Sequence, residues 1–522
     1  MMKKVTIKVI AGLMLLIWLP VILQANNISV TNSELTGKNT TDKFVLVQFD
    51  ISWENSWMTS SAHANWDAAW VFVKYRKSVA NGGDGVWKHA RLNNTGHTAP
   101  AGSMIETGLL DPKTAFNAST NYGVGAFIYR DADGTGTFTK ADVKLRWNYG
   151  DNGEADNAAL DIEVYAIEMV YVPEGSFYVG TGDSEVGSFT NGSWTSGVTI
   201  PFQITSENAL DIGQSAGKLW GTSSSGSSTI GSAGTLAASF PKGYGSFYCM
   251  KYEISQQGYV DFLNSLTQTQ ATARKYDKPT PNNRYEITGS LVGEYATTNP
   301  YVACNFLTWA DLAAYLDWSG LRPMTELEFE KACRGTAAVV PNECAWGTAS
   351  YPPDNSISRM TLSNAGASDE VIATAYAVPP VGNVAYGTTA YNLGGSGVPG
   401  PVRVGIFAGT PANTGRISSG ATYYGIMEMS GNLRERPVSV GHATGRLFTG
   451  NHGNGMLTGA GEADVTAWPG SNANGTGFRG GSIQGVAVTL QVSDRTHAVL
   501  AMTTRNYAYG GRGVRTATIP GK

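Results

Sequence analysis

The sequence predicts a mainly β or α+β protein, with an N-terminal antiparallel β-sandwich followed by a loop-rich domain that contains a few short helices. Three observations lead to this prediction. The 522 residues include 64 glycines and only 15% are charged, which favours strands, turns and ordered loops over long helices. Apolar and polar residues alternate with period two over residues 27–167. Capped helical segments occur only further along the chain, and a chain of this length is expected to form two or three domains.

Residues 1–25 are typical of an export signal peptide. Three lysines precede the apolar run Val9 to Leu23, and the small residue Ala25 suits the end of a cleaved signal. An uncleaved membrane anchor is the alternative, although the run is short for a bilayer span. No second run in the sequence is long and apolar enough to cross a membrane. We therefore expect an exported protein (periplasmic, extracellular or on the cell surface) with no membrane span in its mature form.

Five alternating segments lie within residues 27–167, separated by turn residues such as those at 81–85. Each segment has one apolar face to bury, and an antiparallel sandwich buries such faces against each other. The segments are residues 44–53, 69–75, 125–129, 143–147 and 160–167. The tryptophans of this region could form the core or line a carbohydrate-binding face; they are Trp53, Trp57, Trp66, Trp70, Trp87 and Trp147.

The segment Asp131 to Asp142 has the composition of a calcium-binding loop. Oxygen-bearing side chains occupy positions 1, 3, 5, 9 and 12, and a glycine occupies position 6. Position 12 is Asp rather than the longer Glu, and strands rather than helices flank the segment. A hairpin rich in Asp and Gly is therefore the alternative, since its turn chemistry favours the same residues. The candidate ligands are Asp131, Asp133, Thr135 and Asp142.

A second domain is predicted over residues 168–517. Its Gly/Ser/Thr-rich insert, at about 181–245, contains few apolar residues and is expected to be a mobile surface excursion. Three helices are predicted from their caps and apolar periodicity. They follow Ser255, cover residues 308–320, and follow the capping box of Thr325 and Glu328.

The only cysteines of the chain are Cys249, Cys304, Cys333 and Cys344. In an exported protein they could form disulfides, and buried free thiols are the alternative. None lies in a Cys-x-x-Cys or Cys/His cluster, so the pattern does not support a structural zinc site.

Dispersed motifs of the second domain resemble those of the formylglycine-generating enzyme, or sulfatase-modifying factor, family. They cover roughly residues 168–517, about two thirds of the chain, in the order that the family has them. The resemblance implies a compact, loop-rich variant of the C-type lectin architecture. The motifs are Glu168–Gly180, Phe247–Ser255, Leu321–Gly335, Tyr424–Glu435, Gly477–Ser482 and Tyr509–Arg515.

In enzymes of this family, two cysteines shortly after an Arg-Gly-Gly-Ser turn bind copper(I) and activate oxygen, since thiolates are soft ligands for a soft ion. Here that turn is Arg479–Ser482, and no cysteine follows Cys344. A second catalytic branch binds iron through a His-x-x-x-His-x-Glu pattern, which none of the six histidines matches. We therefore expect no copper, no iron and no catalytic residues, as in a pseudoenzyme.

The resemblance also implies a structural calcium ion at the turn that follows Tyr424. In the family, the first and last side chains of this turn and two backbone carbonyls hold the ion, and such hard oxygen ligands suit calcium. The family more often has Asp or Asn at the first position, and two solvated glutamates on a turn are the alternative. The matching positions are Glu428, Gly431, Leu433 and Glu435.

The C-terminal loops of the lectin-type architecture commonly form an exposed ligand surface. Polar and aromatic residues are dense between residues 493 and 512, and Tyr, Asn and Arg suit adaptable recognition. The candidate ligand-binding residues are Arg495, His497, Arg505, Asn506, Tyr507 and Tyr509.

These patterns predict an exported, non-catalytic protein that binds a protein or glycan ligand. The net charge of −4, with no basic run after the signal, argues against nucleic acid as a partner. The first alternative is a structural subunit of an extracellular or cell-surface filament or layer, built from copies of itself, because sandwich edges can pack into arrays. The second is an enzyme of this superfamily with a different chemistry, since fold alone does not settle function.

Overall fold

The computed structural model of the chain describes residues 27–61, 63–192, 199–223, 226–352, 360–372, 380–387, 398–409, 413 and 415–518. The predicted export signal at residues 1–25 lies outside these ranges. Within them, no helix is long and apolar enough to cross a membrane.

The N-terminal part is the predicted antiparallel sandwich. Strands β1, β2 and β7 form one sheet, and β3, β5, β6 and β8 belong to the other. The core between the sheets contains Val47 and Phe49 from β2, Val71 from β3 and Leu145 from β7, all fully buried. The strands are β1 (Ser29–Asn39), β2 (Phe44–Met58), β3 (Asp67–Lys77), β4 (Lys88–His89), β5 (Met104–Leu109), β6 (Gly123–Tyr129), β7 (Gly134–Trp147) and β8 (Leu160–Val172).

The C-terminal part has short strands and short helices joined by long loops. The strands are β9 (Phe177–Val179), β10 (Phe189–Asn191), β11 (Phe202–Ile204), β12 (Leu210–Ile212), β13 (Leu219–Gly221), β14 (Gly234–Leu236), β15 (Phe247–Met250), β16 (Ile287–Thr288), β17 (Ala296–Thr297), β18 (Leu362–Ser363), β19 (Val371–Ile372) and β20 (Val514–Thr516). The helices are α1 (Gln256–Asn264), α2 (Gln268–Arg274), α3 (Trp309–Trp318), α4 (Glu326–Arg334) and α5 (Ala443–Arg446).

The predicted helix caps are confirmed. The hydroxyl of Ser255 accepts a hydrogen bond from the backbone N–H of Gly258 at the start of α1. Thr325 and Glu328 exchange the two hydrogen bonds of a capping box at the start of α4. Both helices thus begin where the sequence supplies an acceptor for backbone N–H groups that have no partner within the helix.

One sheet is continuous through both parts of the chain, in the order β20–β15–β8–β3–β6–β5. Strand β8 pairs with β3 on one side and, through Met169–Val172, with β15 on the other. The boundary expected between residues 167 and 168 therefore falls inside a single strand. Every residue of β6 is buried, because the sandwich covers one face of this sheet and the C-terminal helices cover the other.

The Gly/Ser/Thr-rich insert corrects the expectation of a surface excursion. Its described residues form a four-stranded sheet in the order β10–β13–β12–β14. Phe189, Ile212, Leu219 and Leu236 from these strands are buried in the same core as α1 and α3. These apolar residues join a core that the rest of the chain already provides, so a segment with few apolar residues can still form ordered strands.

Trp70 and Lys74 of β3 fasten the sheet to the end of α3. The indole N–H of Trp70 donates to the carbonyl of Ser319 at 2.8 Å, and Nζ of Lys74 donates to the carbonyl of Trp318 at 2.8 Å. These two donors supply partners for carbonyls that the end of a helix leaves without one. Gly125 makes room for Trp70, because a Cβ there would lie 2.5 Å from the indole.

We expect Trp70→Ala to destabilise both parts of the protein together. It removes a fully buried indole at their interface, at a cost of roughly 3–5 kcal/mol. Hydrogen exchange measured by mass spectrometry should show β2 and α3 losing protection in parallel. The control is Trp87→Ala, which removes a half-buried ring stacked on Arg76 and should cost less than about 1 kcal/mol. Retention of protection in β2 after α3 has lost it would contradict the shared-sheet account.

Candidate functional site

The structure corrects the prediction that Arg495 lies on an exposed ligand surface. Arg495 is fully buried, and its Nε donates to Glu326 Oε1 at 2.9 Å. Its Nη1 donates to the carbonyls of Gly187 and Ser228 at 3.0 and 2.9 Å. The side chain thus ties α4 to the insert, and it cannot reach a ligand in solvent.

Arg495 is part of a buried ion-pair network built on α4. Arg479, from the Arg-Gly-Gly-Ser turn, donates to Glu326 at 3.0 Å and to Glu330 at 2.8 Å. Burial would raise the pKa of Glu326, but the charges of Arg495 and Arg479 outweigh it and lower this pKa below its usual 4.5. The carboxylates of α4 therefore hold the scaffold together.

The other predicted ligand residues mostly serve internal contacts. Arg505 pairs with Asp311 at 2.6 Å, and Asn506 accepts the backbone N–H of Ala508 at 2.9 Å. Tyr509 is buried and packs on Phe478, with ring centroids 4.4 Å apart. His497 and Tyr507 are only partly buried. Burial, with the nearby Arg434 charge, lowers the pKa of His497 to about 4, so this ring is neutral at physiological pH.

The segment Asp131 to Asp142 does not curl around a common point. The carboxylate of Asp133 accepts hydrogen bonds from the backbone and hydroxyl of Ser60. Thr135 and Asp142 both lie in the extended strand β7, and seven residues of strand span roughly 20 Å. These two residues and Asp133 cannot share one ion, so the turn-and-strand alternative accounts for the sequence.

The turn Glu428–Glu435 is buried, which contradicts the alternative of two solvated glutamates. Both carboxylate oxygens of Glu428 accept the backbone N–H of Gly405 at 3.0 Å. Burial raises the pKa of Glu428 to about 7. Gly431 has φ of +88°, and a Cβ there would lie 2.3 Å from Val384, so the turn requires this glycine.

The resemblance implies a calcium ion at Glu428, Gly431, Leu433 and Glu435, and protein groups already engage both glutamates of this turn. Glu435 is bound by the Nε of Arg512 at 2.5 Å, so a guanidinium already supplies its positive partner. The backbone N–H of Leu433 donates to Glu253 at 2.8 Å. Among the described residues, no group of three or more acidic, histidine or cysteine side chains is arranged to hold a metal ion. Calcium here stays a prediction from the resemblance alone.

All four cysteines are free, buried thiols. Cys249 and Cys333 lie in one apolar cluster, and burial raises the pKa of Cys249 to about 12. Burial also raises the pKa of Cys304, Cys333 and Cys344 above the usual range. A thiol buried in this way is protonated at neutral pH and a poor nucleophile or metal ligand.

The sandwich and the C-terminal domain meet at a cleft of about 600 Å³, which we call the interdomain cleft. The end of β2 and the residues after it form one wall, and described residues between 408 and 427 (408, 413 and 415–427) form the other. Asn65 joins the walls by donating to the carbonyl of Tyr424 at 2.8 Å. Among the described residues, no carboxylate lines the interdomain cleft. The polar and aromatic residues that line the cleft are Asn55, Trp57, His63, Asn65, Lys251, Tyr252, Asn413, Arg416, Tyr423 and Tyr424.

A buried ion triad supports the Lys251 side of the cleft. The Lys251 ammonium lies 3.0 Å from Glu168 and 3.2 Å from Asp67. It also lies 4.9 Å from the ring centroid of Trp57, whose backbone N–H donates to Asp67 at 3.0 Å. Burial alone would lower the pKa of Lys251, but the Glu168 charge and its neighbours raise it above the usual range. Lys251 is therefore a charged support that fixes the position of Trp57.

Arg416, Tyr423 and His63 form a continuous strip along the opposite wall. The His63 and Tyr423 ring centroids are 4.1 Å apart, and the Arg416 guanidinium lies 5.5 Å from the Tyr423 centroid. One Arg416 nitrogen donates to the carbonyls of Ala345 and Cys333 at 2.8 and 3.2 Å. Burial and the Arg416 charge lower the pKa of His63, so the strip carries one positive charge, on Arg416.

Sequence reasoning did not find the interdomain cleft. Of the six tryptophans considered for sugar binding, Trp53, Trp66, Trp70 and Trp147 are core residues and only Trp57 lines the cleft, while Trp87 stacks on Arg76. The pair Tyr423–Tyr424, directly before the motif turn, was the available signal. It could not be connected with residues 55–65, because more than 350 positions separate Asn65 from Tyr424.

We expect Glu326→Gln to lower the free energy of unfolding by roughly 3–5 kcal/mol, because it leaves two buried guanidiniums with an incomplete counter-charge. The folded-state pKa of Glu326 is depressed, so its contribution is present above pH 4.5 and is lost as the pH falls below that value. Denaturant titrations at pH 7 and at pH 3.5 should show the difference from wild type shrinking. Lys218→Gln, in an exposed pair, is the control at below about 0.5 kcal/mol.

We expect a calcium chelator to leave the thermal unfolding midpoint unchanged, and Glu428→Gln to cost far less than Glu326→Gln. Glutamine keeps an oxygen that accepts the Gly405 N–H, and Glu428 forms no ion pair with the described residues. Differential scanning calorimetry with and without EDTA measures both effects. A chelator-dependent loss of stability in wild type that is absent in Glu428→Gln would instead establish a calcium ion at this turn.

Comparison with known proteins agrees with this architecture. The family model of the sulfatase-modifying factor enzyme 1-like domain matches residues 161–516, more than half of the chain, and its first residue lies in β8, the strand shared by both parts. No curated protein matches the chain. The domain has the C-type-lectin-like fold that the sequence motifs implied. The chain therefore belongs to the sulfatase-modifying factor family, through a domain that takes up its C-terminal two thirds.

Proposed function

We propose that this protein is an exported, non-catalytic binding protein that uses a sulfatase-modifying factor domain to hold a protein or glycan ligand. The observation that carries the proposal is the interdomain cleft. It presents aromatic rings, three asparagine amides and a guanidinium in one concavity. Clefts of roughly 300–1,000 Å³ with a few placed polar groups are typical of small-ligand sites.

The state of the cysteines supports the non-catalytic part of the proposal. The family's copper chemistry needs two thiols after the Arg-Gly-Gly-Ser turn, and no cysteine follows Cys344. The four thiols present are buried, and their raised pKa values keep them protonated. The arginine of that turn is committed to the α4 network, where it has a structural role.

We expect the purified protein to give signals on glycan or peptide arrays that fall at least tenfold in the double variant His63→Ala, Tyr423→Ala. This change removes two rings from the cleft wall and spares Trp57, which packs on Lys251. The matched control is Tyr178→Ala, which removes a partly exposed ring of β9 outside the cleft. Circular dichroism should show that each variant is folded.

Three outcomes would contradict parts of this proposal. Signals that survive the double variant but are lost in Tyr507→Ala would place binding at the C-terminal loops. Oxygen consumption with a cysteine-containing peptide and copper would refute the non-catalytic assignment. The absence of any array signal, under conditions where the protein is folded, would count against a binding function.

A structural subunit is the second candidate, and strand β1 favours it. This strand of eleven residues pairs only with β2 among the described strands, which leaves one edge open. However, Asn32 and Gly37 have positive φ, and the pairing has two register shifts, features that discourage strand addition. Filaments or layers in negative-stain images of the purified protein would favour this candidate.

A further inference from the structure

The Arg416 guanidinium carries a positive charge in the interdomain cleft that no described carboxylate pairs with, although it also cross-links two backbone carbonyls. The buried guanidiniums of the α4 network each face a carboxylate. Arg416 has no carboxylate partner within ion-pair distance among the described residues. Its hydrogen bonds to described residues both come from one terminal nitrogen and go to the backbone carbonyls of Cys333 and Ala345, so no acidic group pairs with its charge.

The charge of the cleft indicates the sign of that partner. The lining carries Arg416 and Lys251 and no carboxylate in the described part. The Lys251 charge is balanced from behind by Asp67 and Glu168, so the excess positive charge belongs to Arg416. Because Nη2 of Arg416 donates to two backbone carbonyls, Nη1 is the nitrogen left to donate to a carboxylate of a ligand. Such charge-assisted hydrogen bonds are about twice as strong as neutral ones.

The remaining lining indicates the rest of the ligand. Tyr423 and His63 continue the wall directly beside Arg416, and apolar C–H faces pack well on such rings. Asn55, Asn65 and Asn413 also line the cleft. Asn65 and Asn413 each donate one N–H to a backbone carbonyl, and the amides keep a further N–H and an oxygen for a hydroxyl-rich ligand. A peptide bound as an added strand or as a helix would instead use a free strand edge or an apolar groove, and the described walls are loops and the end of β2.

Resting on the binding function proposed above, we propose that the interdomain cleft binds an acidic glycan, with the carboxylate of a uronate sugar held by Arg416 and the sugar ring packed beside Tyr423 and His63. The ligand carboxylate would be the acidic partner of Arg416, as Asp or Glu side chains are for other arginines of this protein. The sugar hydroxyls would hydrogen-bond to the asparagine amides of the cleft.

The test uses matched ligands, so that it does not depend on a variant that folds. Calorimetric titration of the purified protein is made with glucuronate- and galacturonate-containing oligosaccharides and with the same oligosaccharides after reduction of each carboxylate to an alcohol. We expect binding of at least one uronate oligosaccharide, weakened at least tenfold by the reduction. Equal binding of both forms would overturn the assignment of the carboxylate, as would preference for a sulfated oligosaccharide without uronate.

Variants locate the interaction. Arg416→Gln should weaken uronate binding at least tenfold and leave binding of the reduced form unchanged, and Arg416→Lys should recover part of the loss. Lys218→Gln removes a remote, exposed positive charge and should have no effect. If Arg416→Gln does not fold, the salt dependence of uronate binding by wild type and by Lys218→Gln replaces it, and a uronate affinity that does not fall with salt would overturn the proposal.

The two levels of the proposal fail differently. If arrays show neutral glycans or peptides bound in the cleft and no uronate, the acidic-glycan assignment is wrong and the binding function stands. If no ligand of either class binds, the binding function fails together with it.

Discussion

Buried backbone carbonyls that have no sheet or helix partner set the main requirement of the C-terminal domain. Such groups must be hydrogen-bonded, and in a domain built mostly of loops the backbone cannot pair with itself throughout. Guanidinium groups meet the requirement, since each offers five N–H donors in a fixed fork. Arg334 donates to Tyr178, and Arg436 donates to Leu307 and Met502. The arginines thus act as internal cross-links between loops.

These cross-links explain why α4 is rich in acidic residues. A buried guanidinium is costly without an acidic partner, and Glu326, Glu328 and Glu330 supply carboxylates to several of the arginines from one helix of nine residues. The helix in turn is fixed by its capping box. Arginine charges, loop carbonyls and the acidic helix therefore form one system. Arg416 also binds backbone carbonyls without a described carboxylate of its own, as Arg436 does, but unlike Arg436 it lines the interdomain cleft.

The features that could be predicted from the sequence are those formed by residues close together in the chain. Caps such as Thr325 with Glu328 involve residues three apart, and strand alternation repeats every second residue, so both were predictable. Whether an arginine is buried does not depend on its sequence neighbours alone. Arg495 and Arg505 lie in the same polar stretch, yet Arg495 is fully buried and Arg505 is only partly buried. The continuous sheet was missed because β8 changes from sandwich to central strand without any change in pattern. The cleft was missed because its walls are far apart in the chain.

Strand β3 also has a consequence for how the chain is made. Its backbone pairs with strands β6 and β8, which follow within about a hundred residues, but Trp70 finds its acceptor at Ser319, 249 residues later. During synthesis the N-terminal strands can complete their ladders while an aromatic face still waits for α3. Intermediates that expose such a face are prone to aggregate. The backbone hydrogen bonds of the nascent sandwich can thus form well before its aromatic face is buried by α3. We expect the risk of aggregation during synthesis to be greatest in that interval.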